Sequence, residues 1–174
     1  TSEGLELIKL IIKLTNAKKI LEIGTAVGYS AMCFSEYLED DGIIDTIERD
    51  EERYNIALEN IQNMHLEDRI TLILGDAMEV NVTGNFDLIF IDASKGHSID
   101  FFEKYEPYLK KGGTIITDNL SFHGLVENEA LAVTKNQKGL VKRIKKFIDF
   151  LENNPNYCTS YIEVGDKISI SIKK

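Results

Sequence analysis

Three short stretches of this chain gather residues that could do chemistry. The first reads Glu22-Ile23-Gly24-Thr25-Ala26-Val27-Gly28-Tyr29-Ser30. Its two glycines allow a tight turn and a close backbone approach to a ligand before a helix begins. A dinucleotide fingerprint, G-x-G-x-x-G, would need glycine where Ala26 and Tyr29 stand, which weighs against a nicotinamide site. An ordinary strand-to-helix turn is the competing reading. Against it stands Glu22, at the end of an apolar run, where an unpaired buried carboxylate is costly and a cationic ligand would remove the cost.

The second stretch is acidic. Glu48 follows Gly28 by about 20 residues, the offset at which nucleoside-binding α/β folds place an acid against ribose hydroxyls. Gly75-Asp76-Ala77 comes one element later, with a polar residue where an adenine amino group could be read. The third stretch pairs Asp92, in Asp92-Ala93-Ser94-Lys95-Gly96, with Asp118-Asn119. Two carboxylates and an amide carbonyl are hard oxygen donors suited to Mg²⁺, Ca²⁺ or Mn²⁺ rather than to zinc. Helix capping by the two aspartates is the alternative.

The elements that must position these residues alternate along the chain. Leu5, Ile8, Ile11, Ile12 and Leu14 recur at helical spacing, and Ile20–Ile23 is a short apolar strand. Helices are expected at 31–38, 51–63, 98–109 and 140–151, and strands at 43–47, 70–74, 87–91 and 114–117, with residues 110–113 a turn. Residues 157–163 and 167–172 are strands joined at Gly165-Asp166, close enough for an antiparallel hairpin. The expectation is an α/β, Rossmann-like domain over residues 1–174, with a mostly parallel seven-stranded sheet and an antiparallel C-terminal hairpin. Ligands of such sheets bind beyond the carboxyl ends of the strands, and each chemical stretch above follows a strand.

Composition excludes other classes. The chain has 174 residues, 43% of them apolar and 28% charged, an ordinary globular mixture. Its two cysteines, Cys33 and Cys158, have no metal-ligand or disulfide-scaffold spacing, and a reduced cytoplasm suits them. No apolar run reaches the roughly 20 residues of a membrane span, so no membrane partner is expected. A net charge of −9 argues against a surface coated for nucleic-acid binding. Because the sequence begins at Thr1, some native N-terminus is expected to be missing.

Glu22–Ser30, Ile91-Asp92-Ala93-Ser94-Lys95-Gly96 and Thr117-Asp118-Asn119 resemble the metal-dependent, catechol-type O-methyltransferases that use S-adenosylmethionine, over almost the whole chain. The C-terminal third, with Phe122-His123-Gly124-Leu125-Val126, Asn153-Asn154-Pro155-Asn156-Tyr157 and Val164-Gly165-Asp166, resembles the bacterial tRNA 5-hydroxyuridine methyltransferase branch. The resemblance implies that Glu22, Gly24, Thr25, Ala26, Gly28 and Ser30 line the methionine end of the cofactor. Glu48 would hold the ribose, and Asp76-Ala77 the adenine. Asp92 would serve both cofactor and metal, Asp118 and Asn119 would complete the metal ligands, and Lys95 would accept the substrate proton. Mg²⁺ is the expected ion and a homodimer the expected assembly. The chain departs from the family at Ser98, where the branch often has tyrosine, and in lacking a helical segment before its first helix.

Between Ala130 and Ile148 lie Lys135, Lys138, Lys142, Arg143, Lys145 and Lys146, and no acidic residue. On so acidic a chain this asymmetry is either a solvated helix face or a phosphate-binding one. The branch resemblance favours tRNA as partner, held through Lys142 and Arg143, with conversion of wobble 5-hydroxyuridine to 5-methoxyuridine as the reaction. The alternative is methylation of a small vicinal diol. His65 and His123 read as loop histidines.

Overall fold

Burial on both faces decides which strands lie in the middle. Leu21, Ile23, Ile89, Ile91 and Ile115 point to one side and Ile20, Ile44, Leu88, Phe90 and Ile116 to the other, and all ten are buried. Near-continuous apolar runs of this kind belong to parallel strands covered by helices on both sides. The computed structural model describes residues 2–174, apart from the side chain of Glu129. Its elements run α1 (Ser2–Thr15), β1 (Lys19–Ile23), α2 (Tyr29–Ser35), β2 (Ile43–Glu48), α3 (Glu51–Asn63), β3 (Ile70–Leu74), β4 (Phe86–Ile91), α4 (Ser98–Tyr105), β5 (Leu109–Thr117), α5 (Lys135–Glu152), β6 (Tyr157–Ile162) and β7 (Ile168–Lys173).

The strands form one seven-stranded sheet in the order β3-β2-β1-β4-β5-β7-β6. The first five pair in parallel, whereas β7 pairs antiparallel with both β5 and β6. This is the expected Rossmann-like sheet with its C-terminal hairpin. Side chains of α1, α2 and α3 pack on one face through Ile8, Ile12, Phe34 and Ile61. Those of α4 and α5 pack on the other through Phe101, Phe102, Ile144 and Phe147. The order of strands reverses between β1 and β4, and there the crevice for a ligand opens.

Several boundaries differ from the sequence expectation. The helix expected to reach residue 109 ends at Tyr105, because Pro107 limits the chain to a single 3₁₀ turn, Glu106–Tyr108. Residues 110–113 are not a free turn. They belong to β5, which starts at Leu109 opposite Phe86 across an irregularity in the pairing. The second helix spans Tyr29–Ser35 rather than 31–38. The last helix starts five residues earlier than residue 140, at Lys135. There Thr134 accepts from the Gln137 amide while the Gln137 side chain accepts from the Thr134 amide, a complete capping box. In α1, Leu14 lies outside the core and is exposed. Among the described residues no helix is long and apolar enough to cross a membrane.

Candidate active site

The backbone ladder continues past the strand ends and ties each tip to its neighbour. Gly24 N–H donates to the Ile47 carbonyl, Gly75 N–H to Glu48, Asp92 N–H to Ile23 and Asp118 N–H to Ile91, all within 3.2 Å. These bonds draw the three chemical stretches to one rim. Gly24 is needed where it stands: its φ is +102°, and a Cβ there would lie 2.3 Å from the Asp92 carbonyl oxygen. Gly28, with φ +86°, leads into α2.

Two cavities meet at this rim. The larger, about 490 Å³, is walled by the ends of β1, β2, β3 and β4, including Gly24, Ala26, Glu48, Asp76, Ala77 and Asp92. The smaller, about 150 Å³, is lined by Gly24, Thr25, Ala26, Ser30, Asp92 and Asp118 together with apolar Leu5, Ile8, Val27, Tyr29 and Phe90. Gly24, Ala26 and Asp92 belong to both, so one elongated ligand could occupy the two in sequence. Glu48 faces the larger cavity with its carboxylate already oriented, since Oε2 accepts from Ala26 N–H at 2.8 Å and Oε1 from Asp50 N–H at 2.9 Å. Each carboxylate oxygen keeps a second lone pair for a ligand hydroxyl. Asp76 is fixed by Met78 N–H at 2.8 Å.

Glu22 and Gly28 line neither cavity. Glu22 is 0% exposed, on the sheet face otherwise occupied by Ile20 and Phe90. Its carboxylate accepts from the Ser30 hydroxyl on one oxygen and from Thr46 Oγ1, at 2.5 Å, on the other. Thr46 in turn lies 2.6 Å from Thr25 Oγ1. Burial pushes the Glu22 carboxyl up to about 7; the two hydroxyl donors oppose the shift, and the negative charges of Asp92 and Glu48 add to it. Glu22 thus stands one layer behind the wall and holds Ser30 and, through Thr46, Thr25. Nothing in the spacing of residues singles out Thr46, which β1–β2 register places directly opposite Glu22.

Asp92, Lys95, Asp118 and Asn119 come together. Asp92 Oδ1 accepts from Lys95 Nζ at 3.0 Å and from Asn119 Nδ2 at 3.0 Å. Asp118 is 7% exposed. Burial raises its pKa and the nearby Asp92 charge adds to the rise, while the Asn119 N–H, 2.7 Å from Oδ1, opposes it. A buried carboxylate whose ionisation the neighbouring Asp92 charge opposes, beside an amide whose carbonyl a half-turn would present, fits a hard divalent cation. Lys95 is the one cation paired with them among the described residues.

Residues the sequence reading passed over also line the larger cavity: Arg49, Arg53, Met78, His97 and Phe101. His97 Nδ1 lies 2.9 Å from Asp100 Oδ2. Arg49 directly follows Glu48, which was the available signal. Of the basic residues on α5, Lys135, Lys138, Lys142 and Lys146 form an exposed stripe opposite the buried Val141–Ile144–Phe147–Leu151 face. Arg143 sits on its flank, its Nη1 3.3 Å from where a Cβ on Gly96 would be, beside the turn that carries Lys95. His65 lies past the end of α3 and is exposed.

A family model described as O-methyltransferase matches residues 1–174. A caffeoyl-CoA O-methyltransferase of Populus kitakamiensis is 30% identical over 171 residues, covering 94% of this chain and 73% of that protein. Among solved structures, a Staphylococcus aureus protein provisionally named a caffeoyl-CoA O-methyltransferase is 40% identical, with TM-score 0.93 and coverage of 98% of this chain and 83% of its own. A Bacillus cereus O-methyltransferase solved in complex with SAH is 27% identical, with TM-score 0.86 and coverage of 98% and 80%.

Proposed function

Because the chain belongs to the O-methyltransferase family and is an S-adenosylmethionine-dependent O-methyltransferase, we propose that its acceptor is a small vicinal diol and that a divalent cation, Mg²⁺ first among the candidates, takes part. The observation that carries this reading is the convergence of Lys95 and Asn119 on Asp92, which lines both cavities, with Asp118 lining the smaller one. The family relatives bearing caffeoyl-CoA names favour a small aromatic diol over a nucleoside in tRNA.

The residues divide the work by position. Glu48 orients the ribose hydroxyls, and Asp76 and Ala77 face the adenine in the larger cavity. Thr25 and Ser30, held by the Glu22–Thr46 pair, line the narrower cavity with Gly24 and Ala26 around the methionine end. Asp92, Asp118 and Asn119 would hold the cation, which when bound acidifies a hydroxyl and orients two neighbouring oxygens together. Lys95 Nζ is the atom placed to take the acceptor's proton. The apolar wall of Leu5, Ile8, Val27 and Phe90 excludes water from the neighbourhood of the reacting oxygen.

The test is a diol panel with and without chelator. Methylation of 3,4-dihydroxyphenyl compounds that disappears in EDTA and returns with Mg²⁺ is expected; undiminished turnover in EDTA overturns the metal assignment. One feature supports tRNA as a second reading, the basic exposed stripe of α5 from Lys135 to Lys146 with Arg143 beside the Lys95 turn. That reading requires tRNA binding that weakens steeply with salt and with removal of charge at Lys142 and Arg143. A homodimer is likewise proposed, and sedimentation at micromolar concentration decides it.

A further inference from the structure

The loop after β5 is tied down far more firmly than its length suggests, and the tie comes from the turn of the neighbouring β6–β7 hairpin. Asn119, Phe122, His123 and Gly124 all have positive φ, at 62°, 49°, 56° and 80°, a left-handed conformation that non-glycine residues hold only when their surroundings impose it. The imposing group is Asp166 in the β6–β7 turn. Asp166 is 9% exposed, its Oδ1 accepts from His123 N–H at 2.7 Å, and its own carbonyl accepts from Ser121 N–H at 3.0 Å. The carbonyl of Lys167 accepts from Leu120 N–H at 2.9 Å, next to Asn119. The donors at 120, 121 and 123 are therefore all met by two consecutive hairpin residues. Among the described residues the Asp166 carboxylate makes no other hydrogen bond, and the exposed His123 ring nitrogen lies 3.8 Å from it. A buried carboxylate facing a backbone N–H in a left-handed turn is a device for fixing that turn.

We propose that Asp166 is a positioning residue for the acceptor side of the site: it fixes the Phe122–Gly124 turn and, through it, the pose of Asn119 beside Asp92. This inference rests on the diol-methylating reading for its kinetic consequence but not for its structural one. The decisive experiment compares Asp166→Ala and Asp166→Asn with the unmodified protein. Amide hydrogen exchange, read without any acceptor, should show faster exchange confined to residues 120–126 in Asp166→Ala. The protection should return in Asp166→Asn, whose side-chain carbonyl still accepts from His123 N–H. With 3,4-dihydroxybenzoate as acceptor, Asp166→Ala should lower kcat/KM by roughly tenfold or more, while S-adenosylmethionine affinity by calorimetry stays within about twofold of the original. Unchanged exchange at 120–126 overturns the proposal, as does an equal loss in both variants or a parallel loss of cofactor affinity. If the unmodified protein methylates no diol, the acceptor assignment fails by itself, and the exchange pattern still decides the role of Asp166.

Discussion

Two carboxylates near opposite ends of the central strands show how differently the two ends of this sheet are built. Asp87, near the amino end of β4, meets Lys110 Nζ at 2.6 Å and the backbone N–H groups of Lys18 and Lys19 at 2.9 Å each. Burial alone would raise its pKa, but those three donors more than offset it and the carboxyl is held low. Glu22, near the carboxyl end of the adjacent β1, has only two hydroxyls and is pushed up to about 7. The contrast extends beyond the pair. Lys19 with Asp45, Lys18 with Asp41 and Lys13 with Glu39 pair charges around the amino end, whereas at the other end, among the described residues, Asp92 alone of Glu22, Glu48, Asp76, Asp92 and Asp118 is paired with an ammonium, that of Lys95. One end uses its carboxylates to hold the fold; the other leaves most of them without a cationic partner among the described residues, at some cost in stability.

The sharpest way to break that contrast is Asp92→Ala. If the carboxyl-end acids serve chemistry, kcat/KM falls about 10³-fold, roughly 4 kcal/mol of transition-state stabilisation. Melting temperature in chelator should stay within about 2 °C of the original, since removing Asp92 also relieves Asp118. A variant that melts much lower while retaining turnover would invert the assignment. Glu22→Gln comes next and is read through pH. The folded pKa of Glu22, about 7, lies above the ordinary 4.5, so its favourable contribution is complete below pH 4.5 and is lost as pH rises through 7. The difference amounts to about 3 kcal/mol. Glutamine keeps an acceptor and a donor for Ser30 and Thr46 without the charge. The variant should therefore lose the decline in stability between pH 5 and 8 that the unmodified protein shows in denaturant titrations. Identical slopes in the two proteins would dismiss Glu22 as a source of that decline.

Asp87→Ala tests the other end. Leaving two backbone N–H groups and Lys110 without their acceptor costs about 2 kcal/mol, or roughly 4–8 °C in melting temperature for a chain of this size. The sign with pH is opposite to that of Glu22. A lowered pKa stabilises above the ordinary carboxyl value of 3.8 and ceases to as pH falls, so the variant should differ least from the original in acid. Kinetic constants should not move; a loss of turnover equal to that of Asp92→Ala would erase the division between the ends.

How much of this could be read from residues alone follows the same division. The carboxyl-end acids are legible because each ends or follows a short apolar-rich strand, so Glu48, Asp76, Asp92 and Asp118 fall at strand tips once the strands are found. Lys95 was legible as part of the turn after Asp92. What stayed hidden depends on contacts between distant segments. Glu22 looks like a ligand-binding acid until β1–β2 register sets Thr46 against it. Asp166 looks like an ordinary turn residue until the hairpin folds back onto residues 120–123. The early start of β5 was hidden because Lys110-Lys111-Gly112-Gly113 has turn composition, yet Leu109 pairs with Phe86 and Lys110 reaches Asp87; tertiary pairing overrides local propensity there. The Thr134–Gln137 capping box shows in the sequence as threonine followed three residues later by glutamine, but it lies ahead of the apolar periodicity, which begins only at Leu140.

The smallest effect separates two explanations of the amino end, its ion pairs and its backbone caps. Lys18 supplies one of each: its Nζ reaches Asp41 at 2.8 Å and its backbone N–H donates to Asp87 at 2.9 Å. Lys18→Ala deletes the first and keeps the second. Both side chains of the ion pair are more than half exposed, at 54% and 68%, where solvent screens the attraction and ordering two flexible side chains opposes it. The raised Lys18 pKa, due chiefly to its hydrogen bond with Asp41, reports proximity rather than stabilisation. Melting temperature should therefore shift by no more than about 1 °C, well below the fall in Asp87→Ala, and the small difference should vanish in high salt. A drop comparable to that of Asp87→Ala would mean that the paired charges, and not the backbone donors gathered by Asp87, hold this end of the sheet together.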